Sequence, residues 1–144
     1  MNWKQVEDYF RDKLLAEENG SGTFAAGNIA LPNRMFQHEN RDIWIELSVS
    51  NGNQYARTER TRVYQAIINI VVCVRLNTGT QRAYKISERI TSLFSCQDYT
   101  RGVFIMDPSH KIYVRDIEQM PNIAANEVNK TGVRVSIDIY EEDV

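Results

Sequence analysis

RVYQAIINIVVCVRL, residues Arg62 to Leu76, is the longest apolar run in the chain. Its period is two. One face reads Tyr64, Ala66, Ile68, Ile70, Val72, Val74 and Leu76, without a polar residue. The other reads Val63, Gln65, Ile67, Asn69, Val71, Cys73 and Arg75, and is mixed. β-Branched residues dominate and Gly and Pro are absent, so the run predicts a central strand with one face buried and the other partly covered. A helix would place the apolar groups of Ile67 to Val74 all round a cylinder. At about 3.3 Å per residue the run would span about 50 Å, beyond an ordinary strand, so it is expected to bend or to leave its sheet as an arm.

The remaining chain supplies partners for this strand. Asn2 to Glu18 has the pattern of an amphipathic helix: Trp3, Val6, Phe10 and Leu14 form a stripe, Asn2 is placed to cap it, and Gln5 stands where a capping box needs it. Asn19-Gly20-Ser21-Gly22 stops the helix. Thr23 to Leu31 is small and apolar, with at most one short strand expected, and Phe36 is an isolated large anchor. Ile43, Ile45, Leu47 and Val49 alternate with Trp44, Glu46, Ser48 and Ser50, a half-buried strand. Asn51 to Thr61 is polar throughout and reads as a long hairpin loop into the central strand.

After Leu76, Thr78 and Gln81 form a second capping-box pattern. Ala83, Ile86, Ile90, Leu93 and Phe94 then follow helical spacing to about Cys96. Val103 to Met106 and Lys111 to Ile117 read as short strands around Asp107-Pro108-Ser109-His110, a turn sequence. Pro121 to Lys130 reads as a polar connector. Val133, Val135, Ile137 and Ile139 give a last alternating strand before the acidic Glu141-Glu142-Asp143. The order predicts an α+β fold: a mostly antiparallel sheet of four or more strands with two helices packed on one face.

Composition narrows the function. The 144 residues suit one domain spanning 1–144, and 25% charged with 42% hydrophobic residues is ordinary for a globular chain. No run reaches the roughly 20 apolar residues of a membrane-spanning helix. MNWKQVEDYF has no apolar stretch of the kind a signal peptide needs. A net charge of −2 opposes a dedicated nucleic-acid binder, which would carry a basic excess. Two cysteines, Cys73 and Cys96, fit a reducing compartment, and at this size no disulfide is required.

Candidate chemistry is sparse. Cys96, Asp98, Asp107 and His110 are the nearest approach to a nucleophile with a base, yet no third group in the sequence orients them, and a thiol at the end of an amphipathic helix is commonly buried core. His38 and His110 lie on separate segments without a Cys or His pair at ligand spacing, so no metal site is expected. Gly20-Ser21-Gly22 and Asn77-Thr78-Gly79-Thr80 lack the Lys of a phosphate loop. No catalytic residue, cofactor or metal is expected. Tyr55, Arg57, Glu59, Arg60 and Arg62 gather in the polar stretch before the central strand. They read either as a contact surface for a partner or nucleic-acid phosphates, or as a solvated loop. Trp44 and Tyr140 fall on the polar-alternating strand faces, covering the second sheet face or meeting a partner. Asn77 and Thr78 complete the candidate interface.

A family resemblance runs over most of the length. A helix is followed by Asn28-Ile29-Ala30-Leu31-Pro32-Asn33-Arg34-Met35-Phe36, similar to an apolar–Asn–x–x–Phe segment. Next come the strand Trp44-Ile45-Glu46-Leu47, an Arg opening a long β run at Arg62, and a Gly turn at Thr78-Gly79-Thr80. A second helix ends in Phe94, and a strand closes the chain. In this order the chain resembles the tail terminator, or tail-completion, proteins of long-tailed bacteriophages. Tyr64-Gln65 stands where the family often carries Gly, and Asn77-Thr78-Gly79 where a Pro or a second Gly is usual. The resemblance implies a non-enzymatic virion protein, made in the host cytoplasm and located at the head–tail junction. It implies a ring, typically of six copies, on the end of the finished tail tube, contacting the tube protein and the head connector, with genome DNA passing through unbound. Two alternatives stand beside it: another ring protein of the head–tail junction, and a small ligand-binding or hydrolytic domain using Cys96 or His110.

Overall fold

The computed structural model describes residues 1–17, 24, 26–32, 36, 41–76, 81–95, 103–125 and 127–142. Helix α1 spans Trp3–Ala16 and α2 spans Gln81–Phe94. The strands are β1 (Ile29–Ala30), β2 (Ile43–Arg57), β3 (Thr61–Arg75), β4 (Val103–Asp107), β5 (His110–Ala125) and β6 (Val128–Glu142). They form one six-stranded sheet in the order β1-β2-β3-β6-β5-β4. The two-residue β1 pairs parallel to β2, and every other pairing is antiparallel. This is the α+β architecture expected from the two periodicities.

The central position of β3 follows from its sequence. It is paired along its whole length with β6, from Thr61↔Glu142 to Arg75↔Val128, and with β2 on its other side. Ala66, Ile68, Ile70, Val72 and Val74 are buried in a core shared with Val6, Phe10 and Leu14 of α1 and Ala83, Ile86, Ile90 and Phe94 of α2. Both helices therefore cover the all-apolar face of β3, as the alternation requires. Tyr64 packs at the margin of this core, edge-on to Trp3. Leu76 departs from expectation: it lies beyond the end of β3 and is exposed.

Asn2 caps α1, its side chain accepting from the Gln5 amide at 3.3 Å. The reciprocal half of the capping box is not made. The Gln5 side chain instead donates to Asp107 at 2.9 Å, a tertiary contact in place of a local one. Thr78, the expected cap of α2, lies outside the described residues, as do Cys96 and Asp98.

Two stretches expected to be connectors are strands. Residues 51–57 continue β2, and the turn to β3 is confined to Thr58–Arg60, closed by the Thr58 amide donating to the Thr61 carbonyl at 2.8 Å. The pairing of β2 with β3 shifts register between Asn51 and Gln54 and again between Gln54 and Ala56. Such bulges destroy the period of two, so polar residues there carry no alternation to read. Gly52 is part of this irregularity, since a Cβ at that position would overlap the Gln65 carbonyl. Likewise β5 runs through Pro121 to Ala125, and β6 begins at Val128. Its register skips from Met120↔Gly132 to Ile123↔Lys130, which leaves Pro121 inside the shift, where its missing N–H breaks no ladder bond.

Candidate interaction surface and the His110 cluster

The face of the sheet turned away from the helices has its own small core. Trp44 is 2% exposed and packs with Cys73, Val128, Val71 and Phe36, while the Arg75 guanidinium lies 5.3 Å from the Trp44 ring. Trp44 thus covers the second face, as one reading of its position predicted. Tyr140 also lies on that face, edge-on to Tyr113 at 4.8 Å between ring centroids. Burial and the adjacent Glu46 push the Cys73 thiol up to about 12, which makes it an inert core group.

Further along this face the sheet carries ion pairs in rows. Lys130 reaches Glu46 at 3.5 Å, Arg134 reaches Glu118 at 3.8 Å, and Arg115 reaches Asp138 at 2.8 Å. Beside Lys130 and Arg134 lies a depression of about 260 Å³, lined also by Val71, Met120, Pro121 and Ile123. Gly132 is the register partner of both Val71 and Met120 and has no side chain to fill the space between them. Its φ of +147° and the overlap a Cβ would make with the Ile70 carbonyl hold the position to glycine. The depression can accept a protruding apolar side chain.

The residues proposed as an interface from the sequence separate in the structure. Tyr55 and Arg57 lie in the distal part of β2, with Arg57 opposite Arg62 in the ladder. Glu59 and Arg60 form the exposed turn. Arg62 belongs to a different environment: its guanidinium donates to Glu141 at 3.2 Å. Asn77 and Thr78 are outside the described residues. Arg62 thus stays opposite Arg57 in the ladder but is tied to Glu141, whereas Glu59 and Arg60 lie exposed in the turn.

The sequence reading found nothing to orient His110. The fold supplies two carboxylates. Asp107, three residues earlier at the end of β4, places both oxygens 2.8 Å from Nδ1, and Glu141 on β6 places Oε2 2.8 Å from Nε2. His110 and Glu141 are register partners in the β5–β6 ladder. Asp107 also accepts from the Ser109 amide at 2.8 Å and from Gln5 of α1 at 2.9 Å. Partial burial alone would lower the pKa of the imidazole, but the hydrogen bonds to Glu141 and Asp107 and their charges outweigh it and raise the value above 6.5. Burial likewise works to raise Asp107, and the contacts from His110, Ser109 and Gln5 hold it below its ordinary value. Glu141 is lowered chiefly by its hydrogen bond from His110, against a smaller opposing effect of burial. While both ring nitrogens are protonated and engaged by these carboxylates, His110 has no free lone pair with which to act as a general base. The only sequence signal for this cluster was the turn that places Asp107 near His110. Glu141 is brought in by strand register alone. Among the described residues no group of three or more His, Cys, Asp or Glu side chains is arranged to hold a metal ion, and His38 falls outside them. Among the described residues no helix is long and apolar enough to cross a membrane.

No family model matches the chain, and no curated protein matches it. Among solved structures, one whose name states no activity is similar over 100% of this chain and 97% of its own, with a TM-score of 0.67 and 15% sequence identity. At that identity the likeness concerns the fold alone.

Proposed function

We propose that this chain is a structural assembly protein of a long-tailed bacteriophage, forming a ring that caps the completed tail tube and joins it to the head connector. The observation that carries the reading is the ordered set of sequence features shared with tail terminators. In the structure, Trp44 to Leu47 falls in β2, the run from Arg62 forms the central β3, and Phe94 ends α2. The engagement of both His110 nitrogens also favours a structural over a hydrolytic role.

The mechanism is steric and thermodynamic. A ring that binds the growing end of a head-to-tail stack but offers a different surface on its far side stops addition of further tube subunits. DNA must pass through such a ring, so the lumen should not grip phosphates, and a net charge of −2 suits that requirement. The test is electron microscopy of virions lacking this protein. Tails of abnormal length, detached from DNA-filled heads, are expected; normal tails joined to filled heads would exclude the role.

A further inference from the structure

A neutral imidazole has one N–H and one bare lone pair, whereas an imidazolium has two N–H donors. His110 faces a carboxylate oxygen at 2.8 Å from each ring nitrogen, and carboxylates only accept. Both contacts can be hydrogen bonds only if the ring carries both protons. Once one proton leaves, a lone pair faces an anionic oxygen and that contact must open.

The surrounding charges decide which one opens. Asp107 on β4 and His110 on β5 are joined by a two-residue turn and pair in the ladder, so their contact is local. Asp107 is further fixed by the Ser109 amide and by Gln5 of α1. Glu141 on β6 has an alternative cation in Arg62 of β3 at 3.2 Å and also feels the amino-terminal charge. A neutral His110 therefore keeps Nδ1–H on Asp107 and gives up Glu141. Among the described residues the link from Glu141 is the one side-chain tie between the β4–β5 turn and β6, beside the Glu142 amide donating to the Ser109 carbonyl at 2.8 Å.

We propose that His110 is a proton-operated latch, closed on Glu141 when the ring holds two protons and opened by loss of the proton on Nε2, which frees the β4–β5 turn at the edge of the sheet. The edge strand is suited to respond. β4 has five residues and, among the described residues, pairs with β5 alone; Val103 and Ile105 are exposed, while Phe104, edge-on to Phe94, and Met106 pack against the core. The latch thus links solution pH to the freedom of an outer strand, apart from any role in catalysis and independent of the ring assignment.

Two measurements on the intact chain test this. Ring-nitrogen NMR should show His110 protonated at both nitrogens at pH 6 and titrating above 6.5, with its signals assigned by comparison with His38→Gln. Amide exchange, corrected for its intrinsic pH dependence, should show protection of residues 103–107 falling about ten-fold or more across that titration, the size expected for losing a charge-assisted hydrogen bond, while the middle of β3 is unchanged. His110→Gln should hold β4 in the less protected state at every pH. If that variant does not fold, Glu141→Gln serves instead and should lower the His110 midpoint and flatten the exchange profile. A midpoint at or below 6.5, or β4 protection that ignores the His110 titration, would overturn the latch.

Discussion

The Phe10 ring of α1 and the Phe94 ring of α2 lie 5.3 Å apart, centroid to centroid, tilted by 42°, and both are fully buried. This contact ties the two helices to each other above the sheet, so neither helix settles on β3 independently. An aromatic pair of this geometry contributes about 0.5–1.5 kcal/mol beyond the area it buries. A double-mutant cycle with Phe10→Leu and Phe94→Leu should return a coupling energy in that range by urea denaturation. Additive losses would mean that each ring is held by the sheet alone. Ile90, one turn before Phe94 and fully buried, should lose about 2–5 kcal/mol on truncation to Ala.

The arginines near the β2–β3 turn should divide into two behaviours. Arg60 is exposed in the turn, so Arg60→Glu should change stability by less than about 0.5 kcal/mol. If the turn is a docking surface, combining it with Arg57→Glu should still block association with a neighbouring subunit or the tail, because like-charge contacts oppose encounter. Arg62→Glu should behave differently, since it places a second carboxylate beside Glu141 and removes the cation that Glu141 now has at 3.2 Å. Its thermal midpoint should fall while that of Arg60→Glu does not. Unchanged assembly of the Arg57, Arg60 double variant would remove the turn from the interface.

Why some of this was legible in the sequence and some was not follows from where the ladder stays regular. The faces of β3 and the stripes of both helices keep their periods because each residue there repeats the environment of its neighbour two, or three to four, positions away. At Asn51 to Ala56 and at Met120 to Ile123 the register slips, alternation fails, and polar strand is indistinguishable from polar loop. Gly52 and Pro121, both ordinary marks of a turn, sit inside these shifts, where a close backbone approach and a missing donor are tolerated. His110 was visible as a residue but not as a cluster, because its partner Glu141 is distant in sequence and joins it only through the β5–β6 pairing.

The same cluster gives stability a defined pH dependence. The folded-state pKa of His110 is raised, so its contribution is fully present below the unfolded value of 6.5 and is lost as pH rises through the folded one. Asp107 and Glu141 are lowered, so their contributions are present above the unfolded values of 3.8 and 4.5 and are lost as pH falls through the folded ones. The cluster therefore stabilises most between about pH 4.5 and 6.5, where all three groups are charged in both states. The unfolding free energy of the wild type minus that of His110→Gln should peak in this window and decline on both sides. A difference that stays flat from pH 5 to pH 9 would mean that His110 does not gain charge stabilisation on folding.

If the chain forms a ring, the surface bears on when it does so. Obligate oligomer interfaces are large and more hydrophobic than ordinary surface. Here the apolar faces of α1, α2 and the sheet are already occupied by one another, and the second face carries the Trp44, Cys73 and Val128 cluster, rows of ion pairs and only a small depression beside Met120 and Ile123. Among the described residues, the exposed large apolar side chains are Leu76, Tyr84, Val103, Ile105 and Ile123, and the β2–β3 turn is polar. Contacts of this kind are weak between two free subunits. They become strong when each copy also binds a common template, because every further contact then forms at high effective concentration. The chain alone should therefore be monomeric at micromolar concentration and should close into rings when tail tubes are added. Light scattering distinguishes the states readily, since a monomer is 16.7 kDa and six copies come to about 100 kDa. A 100 kDa species that persists at nanomolar concentration without tube protein would show that the ring is preformed, which would remove templating from the mechanism while leaving the cap itself in place.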